Sequence, residues 1–436
     1  MPGIAGIISQ RHPADCKRLV ARMVGSMLYE PFYVSNMFSV PEVGVYCGWV
    51  TYENSLVAGR VYSDQRENVV LLFSGECVVD DDIRVDDTSN HDRLKRSDLD
   101  LLIDMYECMG QRFVEKLNGL FSGVLVDKRA GEAILFNDRY GVNRIYWHQR
   151  DDETYFASEA KALLSILPDL RKFDERGVAQ LVTYGCTTAG RTLFRNIELL
   201  PNASLWSFKH RSFKKRTYFA PHSWESQPAL SVREFSANFE NTFKRVVRRY
   251  YNSESSLGIS LTAGLDSRMI LACRPALAEL PICYTFSGRD GYTLDDRLAE
   301  RVANAAGLRH YLLRLGSDFF LDFPSHADRT VYVTDGCFGV LGAHEIYLNK
   351  LARRLATVRL TGNYGGELLR GVSTFKRRKL APGLFDPPFS RVLSATQTTI
   401  NTGNSHPMTF AAFEEVPYLL FGSLAASRSQ VVFRTP

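Results

Sequence analysis

The chain has 436 residues, 45% of them hydrophobic and 12% aromatic, with 53 basic against 48 acidic side chains for a formal net charge of +5. That composition is globular, and a single core stops growing at roughly 250–300 residues, so at least two domains are expected. The charge bias is too weak to argue for nucleic acid; the basic clusters FKHRSFKKR (Phe208–Arg216) and KRVVRRY (Lys244–Tyr250) read as solvated faces. No apolar run approaches the roughly 18 residues of a membrane span, and the short N-terminal run lacks a basic leader and a cleavage site. The eight cysteines are scattered without a C-x-x-C pair, which reads as reduced thiols in a cytoplasmic protein.

Taken from the amino terminus, MPGIAGIIS reads as a buried first strand, followed by strand-like segments at VGVYCGWVTY, VVLLFSGEC, LFSGVLVDK, AILFN, RIYWHQ and TYFAS. Among them SDLDLLIDMYECMGQRFVEKL, residues 97–117, predicts one amphipathic helix, with Leu102, Met105, Tyr106, Met109, Phe113 and Leu117 on one face. Many strands with few helices predict helices packed on antiparallel sheets. The rhythm changes after a polar, aromatic stretch. Ser231 and Glu234 form a capping box for a long helix, and then LGISLT, ICYTF, HYLLRL and TVRLTG alternate with the helical segments DSRMILACRPAL, LDDRLAERVANAAG and HEIYLNKLARRLA. This β-α-β order predicts a doubly wound parallel sheet. The expected division is 1–205 for the first domain, 206–230 for a linker and 231–436 for the second.

The sharpest local signal is ISLTAGLDSRMI, Ile259–Ile270. A strand runs into a turn of small residues and straight into a helix, so free backbone N–H groups and the positive helix end form an anion cradle. Thr262 and Ser267 add hydroxyls, and Asp266 is placed to hold Mg²⁺ on a phosphate. The spacing is neither a Walker loop nor a G-x-G-x-x-G fingerprint. Alone, such a turn is as often a tight connection as a site. A second glycine-rich turn, LTGNYGGELLRG (Leu360–Gly371), also follows a strand and is expected on the same rim, which favours a nucleotide site.

These segments resemble the asparagine synthetase family. T-A-G-L-D-S is similar to the pyrophosphate loop of N-type ATP pyrophosphatases, and FASEAKALL (Phe156–Leu164) matches the family's F-A-S-E-x-K-A-L-L. Asn118–Trp147 is similar to its N-G-x-F…D-R-x-G segment, the amino terminus to M-C-G-I-A-G-I, and the Gly362 loop to S-G-E-G-x-D-E. The resemblance implies an N-terminal-nucleophile-type αββα glutaminase domain and an adenine-nucleotide α-hydrolase-like synthetase domain. It also implies an ATP- and Mg²⁺-dependent, AMP-forming ligase of the asparagine-biosynthesis type. By position, Leu261 and Phe286 would border adenine. Thr262, Gly264, Leu265 and Ser267 would hold pyrophosphate, Asp266 would hold the metal, and Thr361 and Gly362 would lie near the α-phosphate and ribose.

Departures from the family are as informative. The nucleophilic Cys after the initiator is here Pro2, which has neither thiol nor hydroxyl. The glutamine-binding N-G-E reads Ser74-Gly75-Glu76, although Asp98 persists, so this glutamine site is expected to be vestigial. In the second loop Asn363 and Gly366 stand where the family has carboxylates; Glu367 or Asp335 could supply a catalytic carboxylate, and Asp335 reads equally as a turn residue. The chain stops at SQVVFRTP, where the family continues into further helices, so the synthetase half is expected to be incomplete. The leading expectation is an amide ligase acting on a small-molecule or peptide carboxylate, with ammonia or a substrate amine as nucleophile, as in the similar β-lactam synthetases and lasso-peptide cyclases. No nucleic-acid or membrane partner is expected, and a homodimer stays open. The alternative is a non-catalytic nucleotide- or partner-binding protein on the same fold.

Overall fold

The computed structural model describes residues 3–52, 60–64, 66–79, 100–209, 212–220, 227–251, 256–276, 280–363, 365, 378–381, 383–399 and 433–434. The described residues divide into two compact units, Met1–Pro221 with Lys379–Asn401, and His222–Arg378.

The strands of the first unit are β1 (Gly3–Ile8), β2 (Tyr33–Val40), β3 (Val45–Tyr52), β4 (Arg60–Ser63), β5 (Val69–Val79), β6 (Leu117–Asp127), β7 (Glu132–Asn137), β8 (Tyr146–Arg150), β9 (Glu153–Ala157), β10 (Glu198–Leu199), β11 (Ser204–Lys209) and β12 (Ser212–Thr217). Its first four helices are α1 (Pro13–Met27), α2 (Asp100–Met109), α3 (Ala160–Ile166) and α4 (Glu175–Tyr184). The strands make two antiparallel sheets, ordered β10-β8-β9-β1-β3-β2 and β12-β11-β7-β6-β5-β4.

The period of two along β1 explains the layering. Ile4 and Ile8 join Leu72, Val124 and Leu135 of the other sheet in one core, while Ala5 and Ile7 join Val20, Met23 and Leu163 of α1 and α3 in another. A third core sets Phe73, Phe121 and Phe136 against Leu102, Met105 and Phe113. The unit is therefore an αββα sandwich, and β1 is apolar along its whole length because both of its faces are covered.

Two expectations are corrected here. The helix over 97–117 stops at Met109; Gly110 takes a left-handed φ of 59°, a 3₁₀ turn follows over Gly110–Lys116, and β6 starts at Leu117. The linker over 206–230 also begins too early. Trp206 pairs with both Lys215 and Leu135, so β11 and β12 form a hairpin that extends the second sheet. In that hairpin the Lys215 ammonium lies 4.4 Å from the ring centres of Trp147 and Trp206, so part of the basic cluster is packed on aromatic faces.

In the second unit α5 (Val232–Tyr251) starts at the Ser231–Glu234 capping box; the Ser231 N–H donates to the Glu234 carboxylate at 3.0 Å. There follow β13 (Leu257–Ser260), α6 (Leu265–Ala272), β14 (Ile282–Ser287), α7 (Leu294–Ala305), β15 (His310–Arg314), α8 (Ser317–Leu321), α9 (Phe323–Val333), α10 (Ala343–Arg353) and β16 (Val358–Thr361). A two-residue strand, β17 (Phe433–Arg434), pairs antiparallel with β16. One more helix, α11 (Pro387–Thr399), groups with the first unit and packs on α4, although the sequence reading assigns that stretch to the second domain. The sheet order is β15-β14-β13-β16-β17, and the four strands from β15 to β16 are parallel. The chain winds outward from β13 to β15 and then crosses to the other side of β13 for β16. That reversal makes β13 and β16 a topological switch point, where open α/β sheets leave a crevice at the strand carboxyl ends. No helix among the described residues is long and apolar enough to cross a membrane.

Candidate nucleotide site and candidate amidotransferase site

Both glycine-rich turns leave the carboxyl ends of adjacent strands at this switch point, the first after β13 and the second after β16, with Ser260 paired to Thr361. They touch. A Cβ added at Gly362 would lie 2.5 Å from the Ser267 nitrogen and 2.7 Å from the Asp266 Cβ, and one at Gly365 would lie 2.6 Å from the Asp266 carboxylate carbon. Glycine at both positions lets the second turn close on the first turn of α6. Asp266, half-buried, is thereby set between the two turns.

The first turn is internally bonded. The Thr262 N–H donates to the Ser267 hydroxyl oxygen at 3.1 Å, the Gly264 N–H to the Thr262 hydroxyl at 3.1 Å, and the Ala263 N–H to the Asp295 carboxylate at 2.8 Å. The expectation of free N–H groups at these three positions is thus corrected: each has an acceptor. The small residues still matter, because they let two hydroxyls fold back onto the backbone. Ser267 is buried, whereas Leu265 is 57% exposed at the start of α6. Asp295 lies in the first turn of α7, and the sequence reading missed it because only the sheet brings the start of that helix beside the first turn.

Leu261 is fully buried, its N–H donating to Tyr284 and its carbonyl accepting the Thr285 hydroxyl at 2.8 Å. Phe286 is half-buried, stacked on Tyr284 and facing the Arg359 guanidinium at 4.5 Å from its ring centre. Arg359 is itself buried, and burial pushes its guanidinium below its usual range; it donates to Asn349 at 3.1 Å and Ser260 at 3.0 Å. Thr361 is buried at the end of β16, and its hydroxyl accepts the Asn363 N–H at 3.3 Å. Asp335 is the left-handed residue (φ 52°) that ends α9, with the Gly336 N–H donating to the Val331 carbonyl at 2.9 Å, the bond pattern of a helix C-terminal cap. That geometry gives Asp335 its turn role. Glu367 and Gly366 lie outside the described residues.

In the first unit Ser74, Gly75 and Glu76 lie on β5 opposite Ser122, Phe121 and Leu120 of β6. Gly75 has a φ of 112° and no room for a Cβ, which would sit 2.1 Å from the Leu120 carbonyl oxygen. The Ser74 carbonyl accepts the Asn143 amide at 3.0 Å. Asn143 is delivered by Asp138, fully buried, whose carboxylate accepts the N–H groups of Tyr140, Val142 and Asn143 at 3.0, 3.2 and 2.8 Å. Burial pushes the Asp138 carboxyl up to about 6, against the pull of those N–H groups. At the chain start the Ile4 N–H donates to the Ser158 hydroxyl at 2.9 Å, and Glu159 is buried with Lys161 at 2.7 Å, which gives the F-A-S-E-x-K segment a structural purpose. Pro2 and Asp98 lie outside the described residues.

Comparison with known proteins agrees with both halves. A glutamine amidotransferase domain profile matches residues 58–219 and an asparagine synthase profile matches residues 238–419. A putative glutamine-hydrolyzing asparagine synthetase of Methanocaldococcus jannaschii is 21% identical over 321 residues, covering 72% of this chain and 61% of the relative. The glutamine-hydrolyzing asparagine synthetase 2 of Bacillus subtilis is 23% identical over 403 residues, covering 86% and 52%. The chain thus spans about half to three-fifths of these relatives. Among solved structures, a glutamine phosphoribosylpyrophosphate amidotransferase from B. subtilis matches 71% of this chain and 65% of its own at 10% identity, with a TM-score of 0.33. On its two consecutive domain matches and its synthetase relatives, the chain belongs to the asparagine synthetase family.

Proposed function

We propose that the protein is an ATP-dependent, AMP-forming amide ligase that activates a carboxylate for attack by ammonia or a substrate amine, without hydrolysing glutamine. The observation that carries the reading is the meeting of the two turns at the β13–β16 switch point, with Asp266 closed between them by Gly362 and Gly365. The residues present fit a magnesium ion, which takes one or two carboxylates and completes its shell with phosphate oxygens and water; Asp266 is the carboxylate that would hold it. When bound, the ion would neutralise charge on the departing pyrophosphate. The Thr262 and Ser267 hydroxyls, now 3.1 Å from each other, are the groups able to turn outward to phosphate oxygens. The Pro2 position supports the second half of the proposal, since a proline supplies no nucleophile for glutamine.

Calorimetry with ATP and magnesium chloride tests the site. Wild type should bind and Asp266→Asn should lose at least about tenfold in affinity, the scale of one charge-assisted contact. Exchange of labelled pyrophosphate into ATP, screened across amino-acid and peptide carboxylates, then tests the chemistry; the absence of both binding and exchange would sink the reading. Asn363 and Gly366, standing where the family places carboxylates, favour a second reading in which the protein binds nucleotide or a partner without turnover. ATP binding that ignores Asp266→Asn would select it.

A further inference from the structure

The three N–H groups of the first turn differ in what answers them. Those of Thr262 and Gly264 are met by neutral hydroxyls of the same turn, whereas that of Ala263 is met by the Asp295 carboxylate at 2.8 Å. A rigid frame delivers Asp295. The next residue, Asp296, is fully buried, accepts the Thr293 N–H at 2.8 Å and the Ser287 hydroxyl at 3.0 Å, and sends its own N–H to the Thr293 hydroxyl at 3.1 Å. Together these close a capping box on α7 and tie its first turn to the last residue of β14, the strand beside β13. Asp295 itself is exposed, so its carboxylate has water to enter if another anion takes its place.

A carboxylate oxygen at hydrogen-bond distance from an amide stands where a phosphate oxygen would accept the same hydrogen. We propose that Asp295 is a built-in anion that holds the Ala263 amide in place of phosphate, so that phosphate enters this turn against the charge of Asp295. The inference rests on the reading of the turn as a pyrophosphate site. It makes Asp295 a positioning residue that maintains the unliganded turn and lowers its affinity for phosphate not neutralised by a cation. One like charge at an exposed contact changes anion affinity roughly five- to tenfold at low ionic strength, and less as salt screens it.

The test titrates inorganic pyrophosphate, free of metal, into wild type, Asp295→Asn and Asp295→Ala by calorimetry at low and physiological salt, alongside hydrogen exchange at the Ala263 amide. Asparagine keeps an acceptor oxygen and loses the charge; alanine loses both. Both variants should bind about five- to tenfold more tightly at low salt, with the gain shrinking as salt rises. The Ala263 amide should exchange about tenfold faster or more in Asp295→Ala and stay protected in Asp295→Asn. Equal or weaker binding by both variants overturns the proposal, as does unchanged exchange at Ala263 in Asp295→Ala. Should none of the three bind pyrophosphate even with magnesium chloride, the reading of the turn falls and the proposal with it. Binding by wild type without gain in the variants removes only the role given to Asp295.

Discussion

Replacing Gly362 by alanine should damage the second unit more than replacing Gly264, although Gly264 sits inside the more family-like turn. The alanine Cβ at 362 meets the Ser267 nitrogen at 2.5 Å, the Asp266 Cβ at 2.7 Å and the Asp266 carbonyl carbon at 2.8 Å, largely backbone that has no rotamer to yield. Ordinary contact needs about 3.5–4 Å, so β16 and the start of α6 must separate by roughly 1 Å. Overpacking of this kind costs about 1–3 kcal/mol. At 264 the added Cβ meets only the Thr262 hydroxyl, at 3.1 Å, and the residue's φ of −65° suits any side chain. Chemical and thermal denaturation without nucleotide should show Gly362→Ala melting about 3–10 °C lower in the transition of the second unit and Gly264→Ala within about 2 °C of wild type. A displacement near 1 Å between the turns should also weaken ATP binding, by up to about a hundredfold. Equal denaturation midpoints for Gly362→Ala and wild type, or a larger loss for Gly264→Ala, would refute the close approach of the two turns.

Asp138→Ala leaves one buried and two partly buried N–H groups without an acceptor and should cost the first unit about 2–4 kcal/mol, read as a shift in urea midpoint with unchanged slope. Asp296 is held below the usual carboxylate range: its burial pushes it up, but the bonds from the Thr293 N–H and the Ser287 hydroxyl outweigh that. Its folded value lies below its unfolded one, so its contribution is present above the unfolded value and is lost as pH falls through the folded one. Denaturation midpoints of wild type should therefore fall from pH 6 to pH 3 more steeply than those of Asp296→Asn. Pro2→Cys should not restore glutamine hydrolysis, because Ser74 still replaces the asparagine that would recognise the amide; measurable glutamate release from that variant would show the pocket to be more complete than proposed.

Much was legible in sequence where one period or one turn governs. The capping box at Ser231, the strand at LGISLT and the helix after it depend on neighbours within four residues, and the structure has all three, although the strand ends at Ser260 and the helix stops at Ala272, short of Pro275. The long helix over 97–117 failed because a period of apolar residues continued across Gly110, whose left-handed backbone redirects the chain while Phe113 stays buried on the same core. The β2 strand and the β11–β12 hairpin were missed because β2 runs exposed from Val34 to Met37 and β12 is mostly Ser, Thr, Lys and Arg, so pairing to a neighbour, not composition, makes them strands.

The two halves of the candidate site divide in the same way. Residue identity alone determined what can be present: small residues, two hydroxyls and Asp266 in one turn, glycines in another, and proline where a nucleophile would stand. Only the sheet decided what those residues meet. Strand order placed β16 beside β13, and that adjacency closes Gly362 and Gly365 onto Asp266, nearly a hundred positions away in the chain. It likewise set Asp295, in the first turn of α7, on the Ala263 amide. A sequence specifies its donors and acceptors locally, but which donor meets which acceptor follows from packing, because a hydrogen bond is decided within about 3 Å and the chain brings distant segments that close only by folding.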